Sequence, residues 1–431
     1  MTTSPQHKAS APSVKNGAAH IASVRDGRAV YLDGEVVDDV STHPAYRNAV
    51  ASSGLFYDHQ AAPENVERMT FDIGGGRRAN RAWQLPQSYD DLVVRRKALT
   101  EWAEITYGFI GRSPDHVASS MAGQVMGIEV FERHDPKRAK AFRDWYDYAQ
   151  RNDLFLTYVI NNVQGDRSKA FGDQGAAAAD MVARIVDEDA EGITIRGAKL
   201  FATSSIMANE IFVGSGQPLK PGEEHLAFAC ALPMNAKGMK LLSRKSFEAH
   251  AVSEYDNPLA YRYDENDALV FFDDVKVPWE RVFVYRDTDM CRAQLHDTPG
   301  HVYQNYQAQI RLAVKLRFLV GLARTVTDII GTVNYPPVRE QLEREGRILH
   351  NDWVRYTGSE VVYRPAKMSP DTLEKMYHYA WDAFYKEADA ATRMARLFLK
   401  VIHKEMKDGT NPDVGRRRDR KGWGAGAGGA P

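Results

Sequence analysis

Between residues 88 and 330 the apolar residues change their period twice, and that change decides what this chain can fold into. From 88 to 150 the spacing is helical: Leu92, Arg95, Arg96, Leu99, Trp102 and Ile105 belong to one helix, which Ser88 and Asp90 can cap. From 181 to 284 short alternating runs take over, at 181–186, 193–196, 211–214, 225–232, 240–242 and 268–272, with turns such as Asp189-Ala190-Glu191-Gly192 between them. From 302 to 330 the residues Val302, Tyr306, Ile310, Ala313, Leu316, Val320, Ala323 and Ile330 restore a helical repeat over one long helix. Helices and strands kept apart in this way specify an α+β chain, with the strands gathered into a compact barrel or sandwich.

Polar groups collect where these regions meet. The run 154–169, LFLTYVINNVQGDRSK, is extended through Leu156, Tyr158 and Ile160, then shows Asn161, Asn162, Gln164, Asp166, Arg167 and Ser168. It reads as a strand carrying amides and an Arg to a ligand edge, and equally as a solvated exit from a strand. Thr203, Ser204 and Ser205 end another strand among small neighbours, where hydroxyls can meet the edge of a flat ring or cap a helix at 206–210. Gly111 and Pro114 break the helical pattern and set Arg112 and His116 on a bend. A guanidinium there stays charged and can hold a phenolate; a salt bridge to Asp115 or Glu104 is the competing use. Arg311 and Lys315 form a basic stripe suited to a pyrophosphate or to acidic neighbours. Gly74-Gly75-Gly76 lacks the Lys-Ser/Thr of a phosphate loop and reads as a hairpin tip, and Asp33-Gly34 reads as a tight hairpin turn.

Other classes fall away on composition. The 431 residues are 43% hydrophobic, enough for a real core, and a net charge of −1 gives no general pull toward nucleic acid or an anionic membrane. No run reaches the ~20 apolar residues that span a bilayer. Residues 1–18 are polar, lack a secretory h-region and are expected to be disordered. Cys230 and Cys291 stand far apart, which fits a cytoplasmic location and supports no metal or iron–sulfur site.

The opening run SVRDGRAVYLDGEVVDDV, the motif Gly111-Arg112-Ser113-Pro114-Asp115 and the run Gln164-Gly165-Asp166-Arg167 resemble the 4-hydroxyphenylacetate 3-hydroxylase family over about residues 21–341. Its members are oxygenase components of two-component, FAD-dependent aromatic hydroxylases. Val275-Lys276-Val277-Pro278 resembles the close of the middle β domain in the acyl-CoA dehydrogenase superfamily. The resemblance implies an acyl-CoA dehydrogenase-like fold: a mainly helical domain at 19–153, a middle β-barrel domain at 154–285, and the start of a C-terminal helical bundle at 286–341. It implies reduced FAD delivered by a separate NAD(P)H:flavin reductase, a small phenol and O2 as substrates, and a homotetramer as in the family. Arg112 would contact the phenol oxygen, a His in the pre-helix loop (His296 or His301) would take its proton, and His116 and Tyr158 would line the substrate. Asn162, Gln164, Arg167, Thr203 and Ser204 would hold or border the flavin. Some members have Tyr at the place of His116 and His at the place of Tyr158; that exchange argues against assuming 4-hydroxyphenylacetate as substrate, and the Gln164-Gly165-Asp166-Arg167 run resembles the halophenol monooxygenase branch instead.

Near Gln341 that resemblance stops. Residues 342–410 resemble the C-terminal tail of cobalamin-binding-type radical SAM proteins, on Asp352-Trp353, Tyr356-Thr357, Met368-Ser369-Pro370 and the helical run from Tyr377 to Tyr385. The helical bundle therefore looks truncated, residues 369–408 read as one or two amphipathic helices, and 411–431 read as a disordered, basic, Gly-rich tail. Radical SAM chemistry and the family's dehydratase branch both need cluster cysteines that the sequence lacks. The alternative to a monooxygenase is a non-catalytic, truncated or fused remnant of the family.

Overall fold

The computed structural model describes residues 14–163, 181–330, 368–386 and positions 344, 346, 349 and 364. The chain divides into a unit of residues Met1–Ala323 and a unit of Arg324–Pro431. The first unit begins with α1 (Gly17–Ser23), β1 (Ala29–Leu32), β2 (Glu35–Val37), α2 (Arg47–Ala61), α3 (Val66–Met69), β3 (Thr70–Gly74) and β4 (Arg77–Asn80). The helices α4 (Tyr89–Ile105), α5 (Pro114–Met126), α6 (Ile128–His134) and α7 (Pro136–Arg151) follow. Then come β5 (Leu156–Val159), β6 (Asn161–Asn162), β7 (Arg184–Glu188), β8 (Gly192–Leu200), β9 (Glu210–Val213), β10 (Phe228–Pro233) and β11 (Met239–Ser243). After α8 (Pro258–Tyr263), β12 (Ala268–Pro278) and β13 (Val282–Tyr285) close the strand region, and α9 (Thr288–His296) leads into α10 (Gly300–Ile329). In the second unit the described helix is α11 (Pro370–Lys386). Among the described residues no helix is long and apolar enough to cross a membrane.

The strands form a seven-stranded sheet, β2-β1-β11-β12-β8-β6 with β7 also on β8, and a four-stranded sheet, β13-β10-β9-β5. Strand β10 shows why the two pack together. Alternation sends Phe228, Cys230 and Leu232 to one face, where they join Ile193, Ile195, Val270 and Phe272 of the larger sheet. Ala229 and Ala231 face the other way, into a second core with Phe131, Phe142 and Trp145 of α6 and α7. A strand covered on both faces reads as the unbroken apolar run seen at 226–232. The helical region is thus bonded to the back of the small sheet, and aromatic contacts of Phe283 with Phe142 and Trp145, at 5.1 and 5.2 Å between ring centres, mark the seam.

Local signals fall where the sequence puts them, with informative departures. Asp33 and Gly34 both take positive φ, 51° and 90°, and join β1 to β2 as a tight turn. Gly74, Gly75 and Gly76 make the tip between β3 and β4. Ser88 caps α4, but its partner in the capping box is Asp91, not Asp90, because the box needs the carboxylate three residues on. The run at 268–272 continues as one strand to Pro278: a register shift between Phe272 and Val275, with Asp274 at φ 52°, absorbs the polar pair Asp273-Asp274 as a bulge. Strands β1 and β2, in sequence part of the helical region, complete the larger sheet through parallel pairing of β1 with β11. Of the run at 369–408, residues Pro370–Lys386 are helical and the remainder lies outside the described residues.

Candidate active site

Glu265 holds the bend that presents Arg112. Its Oε2 accepts the backbone N–H groups of Gly111 and Arg112, both at 2.8 Å. Burial pushes the Glu265 carboxyl above its ordinary range, against the pull of Arg112 and Arg311. The half-buried Arg112 makes neither of the ion pairs the sequence allowed. Asp115 accepts from Ser113 and Gln307, and Glu104 pairs with Arg317 at 3.0 Å. Instead the guanidinium lies 5.5 Å from the centre of the Tyr158 ring, within cation–π range.

His116, one turn into α5, stacks on the same Tyr158 ring at 5.7 Å and 23°. Its tautomer follows from Gln307. The Gln307 amide nitrogen donates to Asp115 Oδ1 at 3.1 Å, so Gln307 Oε1, 2.8 Å from His116 Nδ1, must accept a proton from the ring. His116 Nε2 is then an acceptor, facing the Gln304 amide nitrogen at 3.4 Å. Burial, with the nearby Arg112, drives the imidazole pKa down to about 3, so His116 stays neutral and positions its neighbours rather than taking protons.

Beyond Tyr158 and Gln304 a cavity of about 50 Å³ opens between α5, the small sheet and α9. Val117, Met121, Ile160 and Phe212 give it apolar walls. Among the described residues no cluster of three His, Cys, Asp or Glu is placed to hold a metal.

His296 and His301 sit outside this pocket's wall. The expected pre-helix loop is the end of α9 and the first turn of α10; both rings are exposed, 5.1 Å apart, and His301 Nε2 meets Asn305 Nδ2 at 2.8 Å. Leu295, beside His296, lines the cavity, and Gln304, one turn beyond His301, meets His116. The two histidines are therefore neighbours of the site without a hydrogen bond to Arg112, His116 or Tyr158.

The flavin candidates divide. Thr203 is half-buried at the exit of β8, next to Phe201, which is 60% exposed, and its hydroxyl donates to Asp267. That half-open strand end can take the edge of a flat ring. Ser204 cannot in this conformation: its side chain is fully buried, at φ 65°, and its hydroxyl has no partner among the described residues. Asn162 also points inward, accepting from Lys199 Nζ at 2.7 Å. Gln164 and Arg167 lie outside the described residues. The Arg311–Lys315 stripe serves internal packing instead of a pyrophosphate: Arg311 donates to Gly108 O at 3.2 Å, and Lys315 lies 4.6 Å over the Phe109 ring.

Sequence reasoning missed Glu265, Gln304, Gln307 and Lys199. Reading a helix by its apolar face hides Gln304 and Gln307, which form a polar i, i+3 pair on the buried side of α10. Lys199 carried a usable signal, a charged residue inside an alternating strand. It is 1% exposed and donates to Asn162 Oδ1 and Gly214 O, each at 2.7 Å.

Helices before and behind a two-sheet β region define an acyl-CoA dehydrogenase-like protein, and solved structures agree. The chain superposes on the oxygenase component of 4-hydroxyphenylacetate 3-monooxygenase with a TM-score of 0.69 at 29% identity, over 76% of this chain and 67% of that one. A structure of such a component with FAD and 4-hydroxyphenylacetate gives 0.68 at 29% identity, over 73% of this chain and 64% of that one. The family model described as 4-hydroxyphenylacetate 3-hydroxylase N terminal matches residues 16–284, and its C-terminal counterpart matches 291–344. The chain belongs to the 4-hydroxyphenylacetate 3-hydroxylase family. It is 33% identical over 331 residues to the 4-hydroxyphenylacetate 3-monooxygenase oxygenase component of Geobacillus sp. (strain PA-9), and 37% identical over 339 residues to the 4-nitrophenol 2-monooxygenase oxygenase component of Rhodococcus sp.. These matches take in 76% and 78% of this chain but 66% and 63% of the relatives, so the chain spans somewhat less than two thirds of their length.

Proposed function

We propose that the chain is the oxygenase component of a two-component, FAD-dependent monooxygenase that hydroxylates a phenol. One oxygen atom of O2 enters the ring and the other leaves as water, with two electrons supplied by reduced FAD from a separate NAD(P)H:flavin reductase. The observation that carries the reading is Arg112, half-buried, without an ion pair among the described residues, and set against Tyr158 at the mouth of an apolar cavity. A phenolate oxygen can accept from that guanidinium while the ring enters the dry space beyond. Thr203 would border the flavin. His296 or His301 would take the phenol proton, and His116, held neutral, would orient Tyr158.

Leu312, Leu316, Leu319, Val320 and Leu322 leave an apolar face of α10 exposed, which suits association of several copies, the homotetramer included. A cytoplasmic location fits the cysteine usage. A second reading, a non-catalytic fused remnant, draws on the family match ending at 344 while the chain runs to 431. Anaerobic titration with reduced FAD separates the two. Micromolar or tighter binding, followed by oxygen-dependent conversion of a phenol to a catechol, is expected. A folded sample that binds no reduced FAD would refute the monooxygenase.

A further inference from the structure

The cavity behind Tyr158 carries information about the substrate's far end. Its lining on α5 includes Val117 and runs to Gln124, seven residues along the helix, so the space extends ~10 Å at 1.5 Å per residue. At its inner end stand Gln124 and Gln294, 2% and 4% exposed. The amide nitrogens are committed, Gln124 to Ser120 Oγ at 3.4 Å and Gln294 to the Cys291 carbonyl at 3.0 Å. Both Oε1 atoms are buried and have no partner among the described residues. Two acceptors left open in one pocket are costly unless something donates to them.

Charge points the same way. Among the described residues no Lys, Arg, His, Asp or Glu lines the cavity, and burial holds the lining thiol of Cys291 up at about 12, so it too is neutral. The Lys199 ammonium behind Gly214 is already committed to Asn162 Oδ1 and Gly214 O, so a carboxylate pushed inside would lose its hydration and face two carbonyl oxygens.

We propose that this pocket selects an uncharged phenol whose para substituent ends in an N–H or O–H donor, which Gln124 and Gln294 accept. The proposal rests on the phenol reading above and sets its substrate class: neutral amides or alcohols in place of aryl acetates.

Calorimetric titration of the purified chain with 4-hydroxyphenylacetamide, 4-hydroxyphenylacetate, 4-ethylphenol and phenylacetamide tests it. The first two differ in shape by almost nothing and in charge by one. The amide should bind at least about ten-fold tighter than the acid, and several-fold tighter than 4-ethylphenol, which offers no distal donor. Gln124→Leu should erase the advantage of the amide over 4-ethylphenol while leaving 4-ethylphenol within about two-fold. Gln294→Leu gives an independent check if the first variant folds poorly. Equal binding of amide and acid, or of amide and 4-ethylphenol, would overturn the proposal. If phenylacetamide matched 4-hydroxyphenylacetamide, and Arg112→Ala changed neither, the phenol reading would fail. The preference for amide over acid would then still stand for the pocket.

Discussion

Lys199→Met isolates the electrostatic cost of a buried ammonium ion. Lys199 is enclosed by Asn162 Oδ1 and Gly214 O, and burial lowers its pKa from 10.5 to about 8. The unfolded chain therefore binds a proton that the folded chain holds less tightly. The penalty is fully present below about pH 8 and is relieved as pH rises toward 10.5, so this group makes stability increase with pH. The whole shift is worth roughly 3 kcal/mol, of which about 2 kcal/mol is recovered between about pH 7 and pH 9.5. At neutral pH the Met variant escapes the penalty but leaves two carbonyl oxygens unpaired, at about 1–3 kcal/mol each, so its net change there falls between a gain of about 1 and a loss of about 3 kcal/mol. The slope is the clean observable. Urea unfolding of parent and variant at both pH values should show the parent gaining about 2 kcal/mol on the variant. Burial holds the thiols of Cys230 and Cys291 up at about 12; both also feel the Lys199 charge, but its loss only raises them, so they stay protonated in both folded proteins up to about pH 9.5 and cancel in the comparison. A difference that does not move with pH would refute the reasoning.

Other consequences follow from contacts around α10. Gln307→Leu removes the acceptor for His116 Nδ1–H and a donor to Asp115, both buried, and should lower stability by about 2–4 kcal/mol in denaturant titration. Gly123 lies against the start of α10, where an added Cβ would meet Pro299 O at 2.7 Å and Gly300 Cα at 2.8 Å. Gly123→Ala should cost about 1–3 kcal/mol, seen as a lowered Tm, because backbone rather than a flexible side chain stands in the way.

How much of this could be read beforehand depends on the range of the interactions. The hairpin at Asp33-Gly34, the Ser88 cap and the strand period are local, so a few residues decide them. Arg112 and Tyr158 were legible as residues, and their meeting across the fold followed from the family resemblance. What pattern could not provide was the support beneath them. Glu265 binds the Gly111–Arg112 backbone from more than a hundred residues away, and Gln307 reaches His116 across a comparable gap. Nothing in a one-dimensional pattern distinguishes these from solvated side chains. The inward turn of Ser204 had the same cause: a positive φ set by hydrogen bonds from its backbone N–H to Glu265 O and Asn266 O, each at 3.0 Å, not by its neighbours in sequence.

The parallel pairing of Ala29–Leu32 with Lys240–Ser243 has a consequence in time. During synthesis the N-terminal hairpin leaves the ribosome roughly two hundred residues before the strand it joins. At ~5–20 residues per second that is a wait of ten seconds or more. Until β11 emerges, β1 has one partner and an open edge, and afterwards β11 depends on β1 to cover its own. The order of translation therefore matters to this protein. A slow stretch of synthesis between these strands, or loss of the first forty residues, would show itself as aggregation of nascent chains well before any question of catalysis arose.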